Sequence, residues 1–548
     1  MTSRAAIPVT AILLFIAVFF YRFNALGGSF GGFDNDHFLQ LALAKQVEAG
    51  AQPLRDFSDA VSGGWPSLTY EFSALAQRWM GDSFQSEAAL TVTGVAVAAV
   101  LTFVAGAAMA PWPWALAMAL LSVMLSPKLY SYPKVLVLAV AALLIVTYAR
   151  RPRDAGAAAL GACTAVAFLF RHDYAVYSAA GFAAVMAARH IREGGTMARR
   201  AAIAGAVALA LVLPALIWIQ AYAGLGEYVR NALEISAREA NRTRLNSWPA
   251  FSLAGGQSLT ALLWREENTR GVLYYTLLAL PWIGAAVVIV RARRGAEPGW
   301  TAALAGLSVL AGISAKFFLR GNLDGRFAEV APAAAVLTAA LLGAWTTRGL
   351  STRGGHVARM AVAVAATAAI ATCIVILQNV PAEFLSARLD SPVTAVRQAG
   401  IVYRELQALP GEMREHGQAS RMEAADYVHR CTKPTDRVLV FAYAPEVAVF
   451  AERLFAGGRA VFAPFYYARD KYSYDALNWL AHESVPIMIA EPDEKSELYE
   501  DFPILADYIR REYQDVGSAK MSEVAYRVFV KRSATPTGRA ANGLPCFS

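Results

Sequence analysis

The sequence predicts an α-helical polytopic membrane protein with about 11 transmembrane helices and a C-terminal extracytoplasmic α/β domain. Three observations carry that reading. Of 548 residues, 56% are hydrophobic and only 17% charged, where a soluble chain carries nearer a quarter. The apolar residues come in blocks long enough to cross about 30 Å of hydrocarbon. Near residue 380 the blocks stop, and short β-type runs begin to alternate with amphipathic stretches. The formal charge of +8 does not point to nucleic acid, because the arginines cluster at the ends of apolar blocks, as membrane topology requires, rather than in a binding stripe.

Taken in order, the spans fall near 6–23, 87–109, 112–126, 133–149, 155–171, 174–189, 200–221, 271–290, 300–318, 328–346 and 358–378. The opening run "AAIPVTAILLFIAVFFYRF" has no small-residue cleavage site after it and reads as a retained first span. Alternate loops carry "RRPRD", "RHIREGGTMARR", "RARRG" and "RGLSTRGGHVAR" on one side together with Arg4, so that side is cytoplasmic. The first loop, "SPKLYSYPK", "RHDY", residues 222–270, "LRGNLDGR" and the C-terminal part then face outward. The domains expected are a transmembrane part at 1–379 with a first outer loop at 24–86, an α/β domain at 380–535, and a disordered tail at 536–548.

In the first loop, Phe38, Leu39, Leu41, Ala42, Leu43 and Val47, then Leu68, Tyr70, Phe72, Leu75 and Trp79, recur at spacings near three and four. They predict two helices lying along the membrane surface. In the C-terminal part, "DRVLVFA", "RAVFAP", "VPIMIAE" and "AYRVFVK" read as strands, and "PEVAVFAERLFAGG", "SYDALNWLAHES" and "ILADYIRREYQ" as intervening helices. That alternation predicts an α/β domain with partly parallel strands. Its first strand lacks a following GxGxxG, which argues against dinucleotide binding. Acceptor recognition or a lid over the membrane cavity is the role expected of it, and the aromatic "FAPFYYARDKYSY" suits either a sugar face or ordinary packing. Cys163 and Cys373 lie in apolar runs as core thiols, while Cys431 and Cys546 fall in the polar part and are free to bridge if it is extracytoplasmic. The 222–270 loop, with Arg230, Arg238, Arg242 and Arg244, reads as a charged solvated helix rather than a substrate clamp.

Asp34, Asn35, Asp36 and His37 follow immediately on the first span. An Asp at the centre of a membrane costs roughly 2.5–3.5 kcal/mol, so such a group sits in water, finds partners or does chemistry. Two residues apart on a regular helix, the two acids would diverge by about 200°. They converge only in an irregular segment, for which Gly27–Gly28 and Gly31–Gly32 supply the freedom. The simplest role for Asp34 is a helix N-cap, but a second acid, a histidine and the downstream Arg55 and Asp56 argue for more. A second constellation is cationic. Lys128 and Lys134 flank "LYSYP"; Arg171, His172 and Asp173 interrupt two apolar runs; Arg320, Asp324 and Arg326 precede a late span. All lie on the outer face against the positive-inside bias. Singly, each is explained by snorkelling or by pairing such as Arg171 with Asp173. Three clusters on one face favour phosphate recognition.

A membrane helix followed at once by an outer loop with an acidic pair resembles the GT-C glycosyltransferases, multi-spanning enzymes that use sugars carried on polyprenyl phosphate. The order "FDNDHFLQLALAKQVEAGAQPLRDF…GWPSLTYEFSALAQRWMG" is similar to the protein O-mannosyltransferase and aminoarabinose-transferase branch. The resemblance extends over most of the chain. It implies that an acid of the first loop is the general base on the acceptor, by carry-over Asp34 with Asp36 as the close alternative. It also implies that basic residues of the outer loops grip the lipid phosphate, Arg320 and Arg326 resembling the charged loop before the late span. The expectation is therefore an inverting transferase moving a sugar from a polyprenyl-phosphate donor to a lipid, glycan or protein acceptor. The partners expected are that donor and membrane lipid, in a bacterial inner membrane with the active site on the periplasmic side. Asn35 between the two acids departs from the commoner DE form. It leaves open a divalent cation, Mg or Mn, on Asp34 and Asp36. The rival readings are a transporter or flippase, which predicts mid-span charges and repeated halves, and a polymerase or ligase of lipid-linked glycans.

Overall fold

In the computed structural model, the described residues are 3–26, 32–58, 67–81, 83–243, 248–252, 265–295, 297–319, 323–347, 353–409, 422–463, 470–493 and 496–548. Each of the eleven expected spans falls on a helix: α1 (Ser3–Asn24), α4 (Phe84–Ala107), α5 (Trp112–Met124), α6 (Tyr132–Arg150), α7 (Asp154–Phe170), α8 (His172–His190), α9 (Gly194–Tyr222), α11 (Glu266–Arg293), α12 (Pro298–Ser314), α13 (Leu323–Thr347) and α14 (Arg353–Leu377). Among the described residues, eight helical segments are long and apolar enough to cross a membrane, and α5 and α7 are shorter apolar helices. Proline opens several of them just inside the N-terminus, at Pro113, Pro133 and Pro298, where its missing N–H costs nothing. The chain is an integral membrane protein.

The helices do not divide between membrane and outer domain where composition changes. One compact unit comprises residues 1–25, 91–217 and 239–399; the other comprises 26–90, 218–238 and 400–548. The domain boundary expected at 380 therefore moves to about 400. Two short helices, α15 (Val380–Ala387) and α16 (Pro392–Ala408), follow the last span. Tyr21 donates to Glu383, and Asn24 donates to the carbonyls of Ala387 and Ala395. These bonds hold the first of them, and the start of the second, against the end of α1. In the same unit α12 packs on α6, α8 and α11, and α13 on α5 and α6. Alanine and glycine make those approaches close: a Cβ at Gly306 would meet Ile145, the Gly181 carbonyl and Val185.

In the second unit the first loop and the C-terminal domain form one structure. Helix α2 (Asn35–Glu48) packs against α3 (Leu68–Met80) and against α18 (Pro445–Ala451). Residues His37 to Ala44 are all buried, so α2 is a core helix of this unit rather than one with an open apolar face as its spacing suggested. The reason is tertiary: the C-terminal domain covers the face that an isolated amphipathic helix would leave to lipid. The helix of the long outer loop, α10 (Leu225–Thr243), lies in both units.

The C-terminal sheet has the order β1-β2-β4-β3, with β1 (Val438–Phe441) parallel to β2 (Ile487–Ala490) and with β4 (Val524–Lys531) antiparallel to β2 and β3 (Tyr513–Met521). The helices around it are α17 (Glu423–Cys431), α18, α19 (Asp470–Leu480), α20 (Glu497–Asp501) and α21 (Pro503–Glu512). Two expectations are corrected here. "RAVFAP" forms no strand among its described residues 459–463, and β3 occupies a segment partly read as helix. The tail 536–548 is ordered: β5 (Gly538–Arg539) pairs with β6 (Pro545–Cys546), Cys546 is bonded to Cys431, and the Phe547 N–H donates to the Cys431 carbonyl. Its polar, Pro- and Gly-rich composition reads as disorder only when the covalent tie to α17 is left out.

Candidate functional site

Asp34 and Asp36 sit where the chain turns into α2. Gly32 holds a left-handed φ of 72°, and a Cβ there would meet Leu26, so the entry turn requires glycine. Asp34 is the N-cap. Its backbone is extended, its Oδ1 accepts the His37 N–H at 3.0 Å, and its carbonyl accepts the N–H groups of His37 and Phe38. Asp36, in the first turn, accepts the Tyr443 hydroxyl at 2.6 Å. The carboxylates are half-buried. His37 is not: at 1% exposure it donates to Glu87 at 2.7 Å, also buried, and it lies edge-on to Phe33 at 4.2 Å. His37, expected among the substrate contacts, is placed in a buried pairing that fixes α2 against the start of α4.

Arg55 and Asp56 belong to the same unit and bind each other through two N–H···O contacts of 2.9 and 2.6 Å. The Arg55 guanidinium holds the Asp56 carboxyl below its ordinary range, and the Gln52 N–H adds to this. Further along α2, burial lowers the Lys45 ammonium, which pairs with Glu48 at 3.2 Å. On α18, burial pushes the Glu446 carboxyl up to about 7.

The cations of the membrane unit converge on three partners. Lys134 and Arg326 both pair with Glu329, the latter at 2.8 Å; Glu329 is 2% exposed. Lys134 and Arg171 lie 6.0 and 5.9 Å from the Phe317 ring, and Lys128 and Lys134 each 5.6 Å from the Tyr130 ring. Four expected cations, Lys128, Lys134, Arg171 and Arg326, therefore share one neighbourhood of aromatic rings and the carboxylates of Glu329 and Asp173, where a phosphate would find several positive groups at once. Arg171 also pairs with Asp173 at 2.9 Å, and His172 lies against Phe168. Asp324 is drawn elsewhere: Arg270 holds it with contacts of 2.6 and 2.7 Å, and its carbonyl accepts from Gln378. Arg320 lies outside the described residues, as do Arg244 and the side chains of Arg238 and Arg242. The same unit has an apolar groove of about 590 Å³ lined by Leu121, Leu277, Ala335, Leu342, Trp345 and Ile374, among others.

The fold resembles that of ArnT. The match is to ArnT from Cupriavidus metallidurans, solved bound to undecaprenyl phosphate; it has a TM-score of 0.51 at 13% identity and covers 97% of this chain and 99% of that one. The α-helical polytopic architecture with a C-terminal α/β domain expected from the sequence is the architecture found, and the fold is ArnT-like. No family model matches the sequence, and no curated protein matches it.

Within this ArnT-like fold, sequence reasoning missed four polar partners: Glu87, Glu329, Arg270 and Tyr443. Glu87 and Glu329 had a signal, since each is an isolated acid in an apolar run, and an acid in such a place needs a nearby cation or imidazole. Tyr443 had none, because its partner is more than four hundred residues away in sequence. Among the described residues no three His, Cys, Asp or Glu side chains gather closely enough to hold a metal ion. Asp34 Oδ1 and Asp36 Oδ1 already take a backbone N–H and a phenol. A Mg or Mn ion is commonly held by one or two carboxylates, with waters and substrate phosphate oxygens completing its shell, so Asp34 and Asp36 are the residues that would hold the cation left open by the sequence.

Proposed function

We propose that the chain is an inverting integral-membrane glycosyltransferase that moves a sugar from a polyprenyl-phosphate donor to an acceptor outside the cytoplasm, whether lipid, glycan or protein. The observation that carries this is the full-length likeness to ArnT, a protein solved with undecaprenyl phosphate bound. The convergence of Lys128, Lys134, Arg171 and Arg326 around Glu329 and two rings supports it. The membrane is a bacterial inner membrane, with the acidic loop and C-terminal domain on the periplasmic side, as the arginine-rich alternate loops argue.

The chemistry follows from charge. Substitution at the anomeric carbon passes through an oxocarbenium-like state, and one-step inversion needs one base on the face opposite the leaving group. Asp34 is that base. Its carboxylate direction is set by the bond from the His37 N–H, and it takes the proton of the acceptor's nucleophile as that atom attacks. The departing polyprenyl phosphate goes from a singly charged phosphodiester to a phosphomonoester with added negative charge, and fixed cations stabilise that added charge more than the ground state. Lys134 and Arg326 are prearranged for that by Glu329, and Lys128 and Arg171 complete the grip. The apolar groove accommodates prenyl units. The divalent cation admitted by the sequence has no step in this scheme.

Transfer of radiolabelled sugar from a polyprenyl-phosphate donor in membranes tests the proposal. Asp34→Asn is expected to lose on the order of 10²–10⁴-fold in rate, the usual worth of a positioned base. Wild-type transfer by Asp34→Asn overturns the base, and failure of every lipid-linked donor with the wild-type protein overturns the transferase.

A further inference from the structure

We infer that Tyr443 is a positioning residue: its phenol clasps Asp36 and so ties the C-terminal domain to the turn that presents Asp34. The inference rests on the assignment of Asp34 as base and divides the work of the two acids. Asp34 Oδ1 is bound within its own turn, by the His37 N–H. Asp36 Oδ1 is bound across the unit, by the Tyr443 hydroxyl at 2.6 Å, the length of a hydrogen bond to an ionised oxygen.

The clasp is built from both sides. Tyr443 lies in the three-residue connection between β1 and α18, beyond the carboxyl end of a strand paired in parallel. Open α/β sheets present their functional groups at that end. The connection is itself pinned, since the Phe462 N–H donates to the Ala442 carbonyl and the Glu491 N–H to the Phe441 carbonyl. Pro445 then starts α18 with a fixed φ. Seven residues after Tyr443, Phe450 packs against Phe38 and Phe84 with ring centroids at 5.3 and 5.5 Å. Docking of α18 on α2 thus has two points, an apolar one at Phe450 and a directional one at Tyr443.

The directional contact supplies what the apolar one lacks. Ring packing fixes how close two helices lie but is tolerant of rotation, whereas a hydrogen bond weakens steeply off line. Rotation of the first turn of α2 would carry Asp34 with it, because its side chain and carbonyl are bonded to the N–H groups of that same turn. A misplacement of about 1 Å at a reacting group can cost on the order of 10²-fold in rate. Tyr443 therefore acts on the reaction through Asp36 and α2 without touching the substrate.

Full-length protein in lipid nanodiscs tests this with Tyr443→Phe, Asp36→Asn and the double variant. Each single substitution is expected to lower kcat by about tenfold or more with the donor KM unchanged, and the double variant to be no slower than the slower single. Wild-type kcat in Tyr443→Phe, or losses that multiply in the double variant, overturns the clasp. A second readout needs no turnover: 3-fluorotyrosine placed at 443 is expected to move its ¹⁹F resonance on Asp36→Asn and to keep it on Asp34→Asn. A resonance indifferent to Asp36→Asn overturns the clasp. If it moves while Asp34→Asn still transfers sugar at the wild-type rate, the base assignment falls and the clasp stands.

Discussion

Lys134 lies in the first turn of α6 as a buried ammonium, and its carboxylate partner Glu329 sits in α13 nearly free of solvent. Taking two such charges out of water is expensive, and their attraction offsets the cost only while both remain. Glu329→Gln is therefore expected to destabilise the protein by about 3–5 kcal/mol, because it leaves Lys134 uncompensated. Lys134→Met with Glu329→Met is expected to regain only part of that stability, because Arg326 then loses its carboxylate, while losing donor binding. Thermal unfolding in detergent and donor KM, measured on the same preparations, check the pair. At this scale the sequence shows which residues are out of place but not what they meet. Asp34 and Asp36 stand out because they follow an apolar run, and Lys134, Arg171 and Arg326 because they oppose the charge bias of their side. Glu329, Glu87 and Tyr443 become meaningful only once distant segments are adjacent.

The elements differ in how much of them can be read. Every expected span corresponds to a helix, since a block of apolar residues in a membrane has one way to satisfy its backbone. The short strands β1 and β2, buried at every position, were also legible as continuous apolar runs. β3 was not, because it is an edge strand whose side chains are mostly exposed and polar, so "QDVGSAK" lacks the apolar alternation of a half-buried strand. "RAVFAP" erred the other way: it has the composition of a strand, but Phe455, before Gly457 and Gly458, makes the isolated bridge to Val438. The tail depends on its disulfide, which closes a loop between positions 115 residues apart. Reduction is expected to cost about 2–5 kcal/mol, seen as a lower melting temperature with a phosphine reductant. The Cys431→Ser, Cys546→Ser double variant should melt at that lower temperature whether or not reductant is present.

For the whole molecule, the proposed sidedness rests on the arginine-rich alternate loops. Lys433 is exposed in the C-terminal domain, while the free cysteines Cys163 and Cys373 are buried in the membrane unit. A Lys433→Cys variant is expected to react with a membrane-impermeant maleimide in intact spheroplasts and to be protected in inverted vesicles. The opposite pattern would place the acidic loop in the cytoplasm and remove the polyprenyl-linked donor from its reach. The architecture was legible at this scale because topology is written in composition. The partition into units was not, because residues 26–90 join residues 400–548 through contacts that composition does not reveal.

That partition has a consequence for how the protein is made. Helix α2 emerges early in synthesis, yet α18, which covers it, is among the last helices translated. At the usual pace of about 5–20 residues per second, the nascent chain displays Phe38, Leu41 and Phe84 without their cover for tens of seconds. Release of the finished polypeptide, rather than insertion of the last span, is then the moment at which the turn carrying Asp34 and Asp36 first acquires its shape. A ribosome stalled ahead of α18 would leave a fully inserted bundle that is inert and prone to capture by quality-control proteases.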